Sequence, residues 1–84
     1  MELITSRRNP LVARLRALQQ PKGRREQGLL LLEGTHLLQE VLRLGLRPEQ
    51  LLATPAWMDR HGALLAACPQ PPQPVGEEVL AAVA

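Results

Sequence analysis

The chain has 84 residues, 45% of them hydrophobic, with no Phe, no Tyr, a single Trp and a single Cys. That length allows one small domain whose burial on folding is thin, with a core of Leu, Val and Ala; the lone Cys68 excludes an internal disulfide framework and favours a reducing compartment. No apolar run approaches the ~20 residues that span a bilayer and the N-terminus lacks a signal-peptide layout, so a soluble, cytoplasmic protein is expected.

The formal charge of +2 hides a steep asymmetry. Residues 1–28 hold seven cations (Arg7, Arg8, Arg14, Arg16, Lys22, Arg24 and Arg25) against Glu2 and Glu26, or +5, whereas residues 29–84 hold three cations against six acids, or −3. Such a gradient points to a polyanion at one end of the chain, and nucleic acid is the expected partner. A merely solvated basic face is the alternative.

Asn9-Pro10 announces the first helix, because Asn caps helix N-termini and Pro is favoured at the first helical position. It is predicted over about Pro10–Gln20, with Leu11, Val12, Leu15 and Leu18 on its apolar face. Pro21 is expected to stop it, and Lys22 to Gly28 to follow as a mobile cationic hinge with at most one more helical turn. Leu29 to Leu32 is apolar throughout and short, which suits a strand covered on both faces. Glu33-Gly34-Thr35-His36 then turns into a helix carrying Leu37, Leu38, Val41, Leu42 and Leu44 and ending at Gly45. Strand, glycine turn and helix make half of a βαβ unit. A second apolar stretch, Leu51 to Ala53, precedes a helix over about Ala56–Ala67 opened by Thr54-Pro55. The proline-rich segment Pro69–Pro74 leads to a short edge strand around Gln73–Val75. Gly76-Glu77-Glu78 opens the last helix, with Val79, Leu80 and Val83 on one face. That helix runs to residue 84 without a cap, as if the chain were cut at a domain boundary.

Catalytic signals are sparse. Cys68, His36 and His61 share neither a thiol–imidazole spacing nor a metal-ligand spacing, and a buried structural thiol is the simpler reading. Glu77 and Glu78 suit the helix dipole better than acid–base chemistry. No GxGxxG, Walker A or GxSxG is present, so no catalytic, cofactor or metal residue is named. Binding is better supported. Arg7, Arg8, Arg14, Arg16, Lys22, Arg24 and Arg25 could line a phosphate-contacting stripe ~15–20 Å long at 1.5 Å of helical rise per residue. Without exposed aromatics for base stacking, structured RNA or DNA read by shape and backbone fits better than a single strand. Gly34, Thr35 and His36 form a second candidate surface at a helix N-terminus, or else Gly34 only makes the turn and Thr35 only caps.

In order, Ile4-Thr5-Ser6-Arg7-Arg8-Asn9-Pro10-Leu11-Val12, Lys22-Gly23-Arg24-Arg25-Glu26-Gln27-Gly28 and Leu32-Glu33-Gly34-Thr35-His36-Leu37 resemble the N-terminal substrate-binding domain of SpoU/TrmH-type RNA 2′-O-ribose methyltransferases. The resemblance covers residues 4–45 closely and the rest loosely. It implies a small three-layer α/β/α domain like certain ribosomal and kink-turn-binding proteins, made of a basic helical arm (1–28) and an α/β core (29–84), that presents ribosomal or transfer RNA. In that family S-adenosylmethionine binds a separate, knotted C-terminal domain that also dimerises; none of its motifs occurs here, so this chain is expected to be a monomer without cofactor. Arg7, Arg8, Asn9, Arg24, Arg25, Glu33, Gly34 and His36 are the family-like positions, while a Leu at 30 or 31 departs from the aromatic common in relatives. A free-standing ribosome- or RNP-associated protein and a protein-interaction domain with an incidental basic arm remain as alternatives.

Overall fold

The computed structural model describes residues 2–84. Asn9 caps α1 (Pro10–Arg16) as its residue type predicts: its Oδ1 accepts the Leu11 N–H at 2.9 Å, with Pro10 at the first helical position. A 3-10 turn, Ala17–Gln19, extends α1, and the expected apolar face is in place, with Leu11, Val12 and Leu18 buried and Leu15 half-buried.

The expected hinge is instead a helix. Pro21 does not merely stop α1; it opens α2 (Pro21–Gln27), which ends where Gly28 takes a left-handed φ of 67°. The helix packs on the preceding 3-10 turn. Arg24 Nη1 donates to the Leu18 carbonyl at 3.0 Å and Gln27 Nε2 to the Arg14 carbonyl at 2.8 Å, so side chains of α2 bond to backbone carbonyls of the 3-10 turn and of α1.

Leu29–Leu32 is not a strand. It has no ladder partner among the described residues, and Leu30 and Leu32 are 68% and 51% exposed. Leucine lacks the β-branch that favours pleated backbone, and the sheet forms elsewhere. Gly34, at φ 102°, starts α3 (Thr35–Arg43), so glycine occupies the cap position and Thr35 the first helical one. The expected Gly45 ends this helix region with a positive φ. The helix is amphipathic but buries no residue completely; Leu37 stays exposed on it, as do Leu44 and Leu46 just beyond.

The βαβ unit is built from later residues: β1 (Leu52–Ala53), α4 (Pro55–Arg60), α5 (Gly62–Ala66) and β2 (Gln73–Pro74). The two helices replace the predicted continuous one because the backbone breaks at His61. The strands are parallel, with Leu52 opposite Gln73 and Ala53 opposite Pro74, and Ile4 bridges to Val75 on the other side. β2 therefore lies in the middle of this ribbon, not at the predicted edge. A central proline lacks one ladder donor, and its neighbour supplies a substitute: Gln73 Nε2 donates to the Glu2 carbonyl at 2.8 Å.

Helix α6 (Glu77–Val83) packs against α1. Val12 of α1, Val75, and Val79 and Val83 of α6 form the core, with Ile4, Leu15, Leu52 and Ala82 against them. The expected third apolar position of α6, Leu80, is 37% exposed, one residue round the helix from the buried Val79 face. The fold is thus a small α/β domain, as expected, of 34 × 28 × 19 Å. Among the described residues no helix is long and apolar enough to cross a membrane.

Candidate nucleic-acid interface

The seven N-terminal cations do not share one environment. Asn9 N–H donates to the Ser6 carbonyl at 3.2 Å, closing a turn with Arg7 and Arg8 at its corners; the Arg8 N–H also donates to Ser6 Oγ at 3.1 Å. Both arginines are therefore projected outward by a turn anchored on the α1 cap. Together with Arg16 they line an open depression of ≈ 550 Å³ whose other walls are Ala81, Ala82 and Ala84 at the end of α6. Gln19 fixes that end of α6, its Nε2 donating to the Val83 carbonyl at 2.7 Å.

The remaining four cations differ. Arg24 is half-buried and bonded to the Leu18 carbonyl, so part of its guanidinium holds α2 in place. Lys22 lies 3.8 Å from Glu26 in an i,i+4 pair whose side chains are 83% and 63% exposed, a geometry that restrains a charge weakly. Arg14 and Arg25 are exposed. Among the described residues the only ion pairs are Lys22–Glu26 and Glu40–Arg43, so no acid neutralises Arg7, Arg8 or Arg16.

The second predicted surface is tied to a different part of the fold. Thr35 Oγ1 accepts the indole N–H of Trp57 at 2.8 Å, and the Trp57 ring stacks on His61 with centroids 4.5 Å apart and planes 19° from parallel. Gly34 and His36 are exposed beside this link. Thr35 thus joins α3 to α4 and does not cap its own helix. Nothing in the spacing of residues 35 and 57 signalled their contact, nor that Arg24 would be held by a carbonyl.

The Cys68 thiol donates to the Leu64 carbonyl at 3.5 Å, and burial raises its pKa above the ordinary thiol value. A raised thiol pKa is the opposite of what a nucleophile needs. Among the described residues no three His, Cys, Asp or Glu side chains gather as a metal site requires.

The MRM3-like substrate binding domain family matches residues 9–84, nearly the whole chain. The chain belongs to that family. An uncharacterised tRNA/rRNA methyltransferase of Synechocystis sp. is 49% identical over 61 residues, which are 73% of this chain and 22% of that protein. The match thus spans about a fifth of the relative's length. No solved structure matches the chain. As an MRM3-like substrate-binding domain the chain fits the resemblance read from its Asn9-Pro10 and Glu33-Gly34 blocks. In this member of the family Arg7, Arg8 and Arg16, none with an acidic partner among the described residues, line one depression between the Ser6–Asn9 turn and the ends of α1 and α6, while Arg14 and Arg25 are exposed outside it.

Proposed function

We propose that the chain is the substrate-binding domain of an RNA methyltransferase, and that it holds ribosomal or transfer RNA for 2′-O-ribose methylation carried out elsewhere in a longer, homodimeric, cytoplasmic protein. Membership of the substrate-binding family and the methyltransferase relative support this. The observation that carries RNA contact is the group of arginines without acidic partners at the Ser6–Asn9 turn and the end of α1.

S-adenosylmethionine would supply the methyl group in the longer protein. The residues of this chain do not fit that cofactor. Its sulfonium and ammonium make it a net cation, which three unneutralised arginines repel. The other depression, lined by Glu2, Leu3, Ile4, Thr5, Ser6, Asn9 and Gln73, is open to solvent and offers no aromatic wall for adenine. The domain's work is therefore binding and orientation.

Titration of the chain with a structured ribosomal or transfer RNA fragment tests the proposal. Binding should weaken steeply with salt, with a slope of log K against log salt of roughly −2 to −4.5 for three to five phosphate contacts. Calorimetry with S-adenosylmethionine should show no heat of binding. RNA binding that ignores salt, or cofactor binding by these 84 residues, contradicts it.

A further inference from the structure

We propose that Arg7, Arg8 and Arg16 form a clamp for the phosphodiester backbone of an RNA strand, seated on the alanine floor of the last turn of α6. This rests on the RNA-binding function above and separates three arginines that share one depression from four cations outside it, of which Arg24 is bonded to a carbonyl and Lys22 lies beside Glu26.

Four observations carry it. The three side chains line one depression, although Arg7 and Arg8 come from a turn and Arg16 from the far end of α1. None of them has an acidic partner among the described ion pairs, so their charge is available to a ligand. The opposite wall is made of Ala81, Ala82 and Ala84, the smallest side chains with a Cβ, and leaves ≈ 550 Å³ open for a ribose-phosphate unit. The turn that carries Arg7 and Arg8 is closed by two hydrogen bonds to Ser6 and adjoins the capped start of α1, so less backbone freedom is lost on binding.

The end of α6 opposes an anion through its helix dipole, by about half a charge, and in the 84-residue chain the α-carboxylate of Ala84 adds one negative charge to the same wall. Three arginines outweigh this. Gln19 also occupies the Val83 carbonyl, which removes one of the oxygens that would repel phosphate. Guanidinium forks match phosphate oxygens bidentately, which an ammonium cannot do.

Fluorescence anisotropy with a labelled RNA hairpin, repeated over a salt series, tests the clamp. Arg7→Gln/Arg8→Gln/Arg16→Gln should flatten the salt slope by about 2–2.7, the contribution of three contacts. Arg14→Gln/Lys22→Gln/Arg25→Gln removes the same charge and should change the slope by less than about one contact's worth, ~0.7–0.9. Equal losses in the two triple variants overturn the clamp while leaving RNA binding intact as a diffuse property of the arm. Absence of RNA binding by the unaltered chain at low salt overturns the RNA-binding function itself, and the clamp with it. Polyglutamate competing as well as unlabelled RNA of equal charge would mark the site as one for acidic protein segments, and overturn the proposal. Thermal melts accompany each variant. Should the glutamine triple fail to fold, Arg7→Lys/Arg8→Lys/Arg16→Lys keeps the charge; it should retain the slope yet bind several-fold more weakly, and unchanged affinity refutes the clamp.

Discussion

At Gly23 the backbone of α2 comes so close to the preceding 3-10 turn that a Cβ would run into the Ala17 carbonyl, whereas at Gly34 there is open space but a φ of 102°. The first position excludes a side chain by contact and the second by backbone strain. Gly23→Ala should therefore cost about 1–3 kcal/mol by forcing α2 off its seat. Gly34→Ala should cost about 1–3 kcal/mol without any clash. Denaturant melts of the two variants check both, and an unchanged midpoint contradicts the corresponding contact or strain. Cys68 gives a chemical readout at the same scale. Burial raises its pKa, so the folded state holds the thiol proton more tightly than the unfolded state does. That contribution to stability is complete below the unfolded thiol's pKa and is lost as pH rises through the higher folded value. Labelling with a disulfide reagent should be slower in the folded chain than in denaturant, with its pH midpoint displaced upward; equal rates in both states would contradict this.

Elements whose signals are local were legible in the sequence. Asn9-Pro10 sets the start of α1 because the cap bond spans two residues, and Asn9→Ala should lower stability by about 0.5–2 kcal/mol in thermal melts. The docking of α3 is not local. It depends on the Trp57 indole reaching Thr35, 22 residues away in sequence, and Trp57→Phe should lose about 0.5–1.5 kcal/mol through that hydrogen bond. Thr35→Val should lose a similar amount, and combining the two should add little, since both remove one bond; fully additive losses would show that the bond is not the link. Leu29–Leu32 illustrates the opposite failure. Apolarity suggested a covered strand, but a strand needs a partner ladder, and the ladder is made by Ile4, Ala53 and Val75, which no short window of sequence brings together. The basic arm was legible as charge, while its division was not. Only packing shows that Arg24 is held by Leu18 and that Arg7, Arg8 and Arg16 meet.

For the molecule as a whole, the decisive contacts join its two ends. Residues 1–28 supply Ile4, Val12 and Leu15 to the core, and residues 75–83 supply Val75, Val79, Ala82 and Val83. Three of the four valines at its centre thus come from the last ten residues, and burying each is worth about 1.5–3 kcal/mol. A chain shortened to residues 1–74 should lose its cooperative thermal transition, because the total stability of a small domain is only about 5–15 kcal/mol. Retention of a sharp transition would show that α1 and α2 form a stable unit alone. The βαβ half and the basic arm are in this sense one structure, and the arginines proposed to contact RNA lie against residues some 65 or more positions away.

The hydrogen bond from Gln19 to the Val83 carbonyl spans 64 residues. On a ribosome adding about 5–20 residues each second, roughly 3–13 s pass between the synthesis of its donor and of its acceptor. Throughout that interval the arginine-rich arm is already outside its final setting, charged, and without the helix that will support it, beside the most abundant RNA in the cell. A nascent chain of this kind meets RNA, the ligand proposed for it, before it meets its own fold.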